Sequence, residues 1–523
     1  MFQLTVQKKE WDAMLLIAKS VVVLFFGLQF GKTGAAYFSI AALTFYVFYI
    51  LFGAQMVKEF GRFMLRKKLK DENTNLHSHG GKMLVFTLFL GLVGGAALFL
   101  LANPLALFLR RTELLMLFRL LAILLPVSVL TALLDEILAT EYPMLVYCIL
   151  SLVELLAFIG SYLLINMKLE HLGVLLQALL HTELVSAYYG VLAILLAFLV
   201  VKVIMGSVLF LLFLKSNNKK SAGELIDNRK KEAFTPTKFY IRGVPEVFFH
   251  LQFCFMAMLF TGRYLSKAED TTVAIANIGK LYGCVMVVAV GIPFIVKLLT
   301  VCLQQKAILA VTREERKAAR KSISVCVQFL WIFSIMPALS ILVLKEPIIS
   351  LLGESFLDSE LLLVKTAFLS IPVLIFVFCT KLWNELQPLV ILCITLVGNI
   401  LFSLFLWFEM DKNTSKVLLY VGCYLVAMAI LFLVLTIREY GIHTEILSKM
   451  LFASVFAAVL SLLMLGMKIL LSPHLGVKIT MYLSLAVGFF LYWILLFTFH
   501  IVNDKDQKAL PIVRLFKKEK SAK

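Results

Sequence analysis

Residues 390–408 read VILCITLVGNILFSLFLWF, a stretch without one charged side chain. Wound as an α-helix rising 1.5 Å per residue, it is about as long as the hydrocarbon core of a bilayer is thick. Polar residues bound it on both sides: Asn384, Glu385 and Gln387 before it, Glu409, Asp411 and Lys412 after it. This is the pattern of a membrane-spanning helix.

Working outward, the same pattern recurs along the whole chain. Apolar runs fall at about 12–30, 34–57, 83–102, 113–135, 143–166, 187–214, 239–262, 272–302, 323–344, 357–381, 387–409, 417–437, 448–471 and 479–501. The composition agrees, with 61% hydrophobic and 16% charged residues and a mean hydropathy of +0.95. A soluble domain is nearer 45–50% apolar and about 25% charged. The sequence therefore predicts an all-α, polytopic membrane protein with about 14 transmembrane helices and no separate soluble domain.

The net charge of +18 does not point to nucleic acid, because Lys and Arg gather between the apolar runs. There they set topology and touch anionic headgroups. Examples are Lys58, Arg62, Arg66, Lys67, Lys68 and Lys70, the group from Lys215 to Lys231, and Arg313 to Lys321. All these segments lie on one side if the N-terminus is inside, so the positive-inside rule predicts cytoplasmic termini in a cell membrane. Lys8 and Lys9 precede the first apolar run as in a signal peptide, but Lys19 interrupts it; we read a retained first helix. The eight cysteines form no CxxC pair and sit in or beside apolar runs, so no disulfide or zinc framework is expected.

The polar stretch 215–238 follows the sixth span and reads as a linker. The expected division is an N-terminal six-helix bundle (1–214), the linker (215–238), a second six-helix bundle (239–437), two further transmembrane helices (438–501) and a basic cytoplasmic tail (502–523). An internal repeat supports it. Residues 103–127, NPLALFLRRTELLMLFRLLAILLPV, resemble 346–373, EPIISLLGESFLDSELLLVKTAFLSIPV. Each has an early proline (Pro104, Pro347), then a glutamate opening a helix (Glu113, Glu360), then a proline within it (Pro126, Pro372). Six spans separate the copies, so the halves share one orientation. Within 304–322, Thr312 and Glu315 suggest a capping box for a basic amphipathic helix lying on the membrane.

The segment LKEPIISLLGESFLDSELLLVKTAFLSIPVLIF (344–376), followed by residues 390–408 with Asn399, resembles the polysaccharide-transporter branch of the multidrug/oligosaccharidyl-lipid/polysaccharide (MOP) exporter superfamily. The basic stretch 313–321 and the layout of two six-helix bundles plus two helices also fit, whereas the early N-terminal motif of that branch is weak. The resemblance implies a MATE-like fold and a flippase that moves polyprenyl-diphosphate-linked glycans, in polysaccharide or cell-wall precursor export. It further implies cations in a central cavity on helices 1, 2 and 8, and a lipid-tail groove on the last two helices.

Charged residues inside spans carry the functional reading, because a cation at the centre of a membrane helix costs about 2.5–3.5 kcal/mol on insertion scales. Lys19, in the first span, reads either as a phosphate-binding cation or as a lysine snorkelling to the inner headgroups. Lys280, about eight residues into the eighth span, is the stronger cavity candidate. Arg242, Glu246 and His250 recur every four residues on the seventh span, either as a substrate-contacting or proton-linked stripe or as an Arg242–Glu246 ion pair near the helix end; Pro245 among them is a point where the helix could open. Glu154 and Lys202 either pair or face the cavity. Asp135, Glu136, Lys297, Arg119 and Lys365 read as structural or interfacial.

Several patterns lead nowhere. Gly27-Leu-Gln-Phe-Gly-Lys-Thr33 has three residues between its glycines where a phosphate-binding loop has four, and lacks the strand–loop–helix context. His77 and His79 form an isolated pair on a loop, and Asn413-Thr-Ser415 is a chance-level sequon. No nucleotide, metal or cofactor site is expected and no enzymatic activity. The partners expected are an anionic lipid-linked glycan, membrane lipids and a coupling Na+ or H+. The rival readings are a cation-coupled multidrug exporter and, from another class, an integral-membrane polysaccharide polymerase or ligase.

Overall fold

The computed structural model describes residues 11, 14–15, 17–22, 30–70, 76–141, 144–180, 186–221, 236–409 and 414–502. Among these, thirteen helical spans are long and apolar enough to cross a membrane. In chain order they are α1 (Gly31–Met64), α2 (Gly80–Phe108), α3 (Leu114–Ala139), α4 (Cys148–Met167), α5 (Tyr188–Lys215), α6 (Thr237–Lys267) and α7 (Thr271–Thr312). Then follow α8 (Arg316–Val343), α9 (Glu354–Asn384), α10 (Pro388–Phe408), α11 (Leu419–Tyr440), α12 (Glu445–Leu475) and α13 (Val477–Thr498). They correspond one for one to the second through fourteenth expected spans. The expected first span lies only in part within the described residues, where 17–22 are helical. The described residues contain no strand, as expected where every backbone polar group must be satisfied without water. Large apolar side chains such as Leu100 and Phe408 are more than three-quarters exposed, as a lipid-facing surface requires.

The chain folds into two compact units interleaved in sequence. One comprises Thr33–Ile275 and Leu392–Lys412, the other Met1–Lys32, Ala276–Ile391 and Asn413–Lys523. In the first unit, α2 and α3 pack most closely: a methyl group added at Gly95 would fall 2.6 Å from the Ala122 carbonyl oxygen. Small residues at such a seam let two backbones approach and gain van der Waals contact, which drives helix association in lipid. The second unit is organised about α8, the most enclosed of the thirteen spans. Polar side chains tie neighbours to it: Trp331 Nε1 donates to Ser454 Oγ of α12 at 2.9 Å, and Tyr492 Oη of α13 donates to the Ile332 carbonyl at 3.1 Å.

Two spans share an irregularity that the amino-acid pattern does not advertise. In α1, a 19-residue α-helix (Gly31–Tyr49) runs into a five-residue π-turn, Ile50–Ala54, before α-helix resumes at Gln55. In α7, a 19-residue α-helix (Thr271–Ala289) meets a five-residue π-turn, Val290–Phe294, before α-helix resumes at Ile295. Pro293 lies inside the second turn, where it cannot donate the regular backbone hydrogen bond and so is one physical cause of the irregularity. Tyr240 Oη donates to the Leu51 carbonyl in the first, at 3.1 Å, supplying a partner for a loosened backbone group. The two turns lie 240 residues apart, close to the spacing of the paired prolines that define the internal repeat.

Two local expectations are corrected. No separate surface helix occupies 304–322: α7 continues to Thr312, whose hydroxyl donates back to the Leu309 carbonyl rather than capping a new helix. Glu314 takes a left-handed conformation (φ +58°), the chain reverses within 313–315, and α8 begins at Arg316 without a side-chain cap from Glu315. His77 and His79 fall not on a loop but in the first turn of the helix Leu76–Phe108.

Candidate functional site

The charged groups of the second unit converge where α1 begins. Gly31, the first residue of the helix, adopts φ +68°, a conformation that favours glycine, and Lys32 follows it. The Lys32 carbonyl lies against Gly279 of α7 so closely that a methyl group there would sit 1.7 Å from its oxygen. Only glycine allows this approach, and the residue after it is Lys280. The backbone contact therefore brings two lysines from distant parts of the sequence side by side.

Asp358 faces both. It lies in the 3₁₀ turn Glu354–Ser359, which precedes the α-helical part of α9. One carboxylate oxygen meets Lys32 Nζ at 2.8 Å, and the other accepts a hydrogen bond from Lys280 Nζ. Ser359 Oγ also donates to Asp358, at 3.2 Å, and Cys284 Sγ of α7 reaches the Ser359 carbonyl at 3.8 Å, holding turn and helix together. The lysine side chains are about four-fifths covered (19% and 23% exposed), whereas that of Asp358 is 53% exposed. One carboxylate thus serves two ammonium groups and leaves a net charge of +1 with an open side. Such a site can bind a multiply charged anion if the anion takes the place of the carboxylate.

Further ion pairs brace the neighbouring turns of this unit. Lys345 pairs with Glu360 at 2.9 Å, and Lys468 of α12 pairs with Glu346. The hydrogen bond from Lys468 holds the Glu346 carboxyl below the usual carboxylate range. In the other unit, the counterpart of Glu360 in the internal repeat, Glu113, accepts a hydrogen bond from Tyr37 Oη at 2.5 Å and lies 3.7 Å from Arg111.

The five residues singled out by sequence divide between the units. Lys280 is in the lysine pair just described. Lys19 lies half-buried in the helical stretch 17–22. Arg242, Glu246 and His250 all lie on α6, which runs through Pro245 as an unbroken helix instead of opening there. The alternative of an Arg242–Glu246 pair is corrected: Arg242 is exposed, and Glu246 pairs with Lys58 of α1. Lys58 lies on the turn after the π-segment, where its ammonium reaches α6. His250 sits between aromatic rings, edge-on to Tyr46 and Phe249 at centroid distances of 6.5 and 5.6 Å. Glu154 and Lys202 pair at 2.6 Å, and Arg119 lies over the Phe99 ring at 5.4 Å.

Sequence reasoning missed Lys32, Asp358 and Lys58. Lys32 was visible only as the lysine of the discarded phosphate-loop lookalike, and Asp358 only as one of several acids in a turn. No group of three or more His, Cys, Asp or Glu side chains suited to a metal occurs among the described residues.

No family model matches the chain, and no curated protein does. Among solved structures it is similar to the lipid II flippase MurJ in an inward closed conformation, with 14% identity and a TM-score of 0.57 over 92% of this chain and 97% of that one. It is also similar to an inward-facing multidrug resistance MATE family transporter of the MOP superfamily, with 12% identity and a TM-score of 0.56 over 82% and 94% of the two chains. A third is a MOP superfamily transporter from Pyrococcus furiosus, described by a reverse polarity of its binding pocket that suggests a different function. It shares 12% identity and a TM-score of 0.56 over 84% of this chain and 96% of that chain. At these identities the likeness is one of fold. The chain is a multi-pass membrane protein with the MATE/MOP transporter fold.

Proposed function

We propose that the protein is a flippase that moves an anionic polyprenyl-diphosphate-linked glycan, a polysaccharide or cell-wall precursor, across the cell membrane by alternating access. The observation that carries this reading is the Lys32–Asp358–Lys280 cluster, in which two largely covered ammonium groups share one exposed carboxylate. A diphosphate offers two or more negative charges at a spacing two lysines can bracket, so it competes with a single carboxylate for both. In the orientation given by the charge rule, with both termini cytoplasmic, Lys32, Lys280 and Asp358 all lie toward the outer ends of their spans. Cargo would then meet them late in translocation, with Lys19 available nearer the cytoplasmic side. An inside-negative potential favours outward movement of an anion by about 2.3 kcal/mol per net charge per 100 mV. The division into two six-helix bundles belongs to this proposal; the shared helix–π-turn–helix pattern of α1 and α7 supports it.

The test is reconstitution in proteoliposomes with a fluorescent polyprenyl-diphosphate sugar, reading its appearance in the opposite leaflet. Wild type moves the lipid, and Lys32→Gln and Lys280→Gln, inserted in equal amounts, do not; full activity in both variants would sink the assignment.

A second reading, a cation-coupled multidrug exporter, is favoured by the half-buried Glu246 and His250 on α6. It predicts instead that a lipophilic cation is extruded with Na+ or H+ coupling and that Glu246→Gln abolishes this.

A further inference from the structure

A second cationic feature lies apart from the lysine pair, on the seam between α6 and α10. Its walls are Met256, Leu259 and Phe260 on one helix and Ser403 and Leu406 on the other, with Arg263 and Trp407 at one end. The seam is anchored further along by Gln252 Nε2 donating to Thr395 Oγ1 at 2.6 Å. Residue numbers rise together along both helices, from Gln252 and Thr395 to Arg263 and Trp407, so the two run parallel. The charge rule independently assigns both helices the same inside-to-outside direction. By that assignment Arg263 and Trp407, near the ends of their spans, lie at the outer membrane–water interface.

The Arg263 guanidinium lies over the Trp407 indole, 4.4 Å from the ring centroid, and forms no ion pair among the described residues. Its Nε is buried with no hydrogen-bond partner. A buried charged donor without an acceptor is costly, and stacking on an indole restrains the planar guanidinium before any ligand arrives. The cleft running inward from it is apolar except for Ser403. A cation at the water interface beside an apolar cleft between two lipid-facing helices is the complement of one phospholipid, headgroup to guanidinium and acyl chain to the seam. A single guanidinium presents a two-pronged donor that suits a singly charged phosphodiester; a diphosphate calls for more positive charge than the cleft holds.

We infer that the α6–α10 seam binds one phospholipid of the outer leaflet, its phosphate on Arg263 and an acyl chain along Met256, Leu259 and Leu406. This site is independent of the proposed cargo, since it concerns a resident lipid and uses none of the lysine-pair residues.

Native mass spectrometry of the full-length protein, purified in detergent and titrated with phosphatidylglycerol, tests the inference. Wild type is expected to hold one phosphatidylglycerol more tightly than the rest. Arg263→Gln should weaken that binding about tenfold, as expected for loss of a charge-assisted two-pronged contact. Leu259→Trp keeps the arginine but fills the cleft and should weaken it as well, which separates a lipid from a bare anion. Equal retention of the lipid by wild type and Arg263→Gln would overturn the proposal, as would its displacement by millimolar inorganic phosphate.

Discussion

Replacing Asp358 with Asn separates an anion site from a merely structural ion cluster, because the two accounts predict opposite signs. The Asp358 carboxylate touches both Lys32 and Lys280, with its own side chain about half exposed and theirs mostly covered. Two unit charges 4 Å apart attract by roughly 4 kcal/mol at an effective dielectric of about 20. Solvent access to Asp358 reduces this to about 1 kcal/mol or less for each pair. Asp358→Asn should therefore cost the folded protein about 1–2 kcal/mol, visible as a modest fall in melting temperature in detergent. In the unmodified protein, an incoming diphosphate must give back that same 1–2 kcal/mol by displacing the carboxylate. The variant removes this competition, so binding of farnesyl diphosphate, measured by calorimetry on the purified protein, should tighten about 5- to 30-fold. Lys280→Gln should weaken it. If Asp358→Asn weakens binding as Lys280→Gln does, the carboxylate serves only to shape the site and the displacement argument is refuted.

Other expectations follow from neighbouring geometry. Gly279→Ala places a methyl group 1.7 Å from the Lys32 carbonyl oxygen, so it should lower the melting temperature and abolish transport together, even though it alters no charge. Within the Glu154–Lys202 pair, largely buried, either single neutralisation should cost about 2–3 kcal/mol, while Glu154→Gln with Lys202→Met should cost less than the sum; additive melting shifts would show that the pair is not coupled. Lys468→Gln should destabilise the protein at neutral pH but not in acid. A carboxyl with a depressed pKa, such as Glu346, contributes stability above its unfolded pKa and loses it as pH falls through the folded value. The melting curves of variant and wild type should converge only once the pH has fallen below the ordinary carboxylate range.

The spans were legible because nothing but lipid explains apolar runs of that length, and each of α1 to α13 overlaps one expected run. Boundaries were misread where helices outrun the hydrocarbon: α7 extends through Gln304, Gln305 and Lys306 to Thr312, polar residues that a hydropathy reading assigns to a connection. Lys280 was legible because a lysine deep in an apolar run demands a partner. Lys32 was not, since a lysine at the edge of a run is satisfied by the interface in most membrane proteins, and only the Gly279 contact shows it turned inward. Asp358 is one acid among Glu354, Glu360 and Asp358 itself, and sequence offers no way to rank them. The Lys58–Glu246 pair joins residues on separate helices, beyond the reach of the four-residue periodicity that suggested Arg242 as the partner. The π-turns were invisible for a different reason: ILFGA and VGIPF share little, and their equivalence appears only when each is seen to follow 19 residues of helix.

The central claim is that the covered lysine pair handles a lipid-linked diphosphate. It is tested most directly by a leaflet-exchange assay in proteoliposomes containing both a fluorescent polyprenyl-diphosphate sugar and a lipophilic cationic dye. The account predicts translocation of the lipid by wild type, its loss in Lys32→Gln and Lys280→Gln, and no dye movement. Extrusion of the dye with the lipid left in its original leaflet would contradict it.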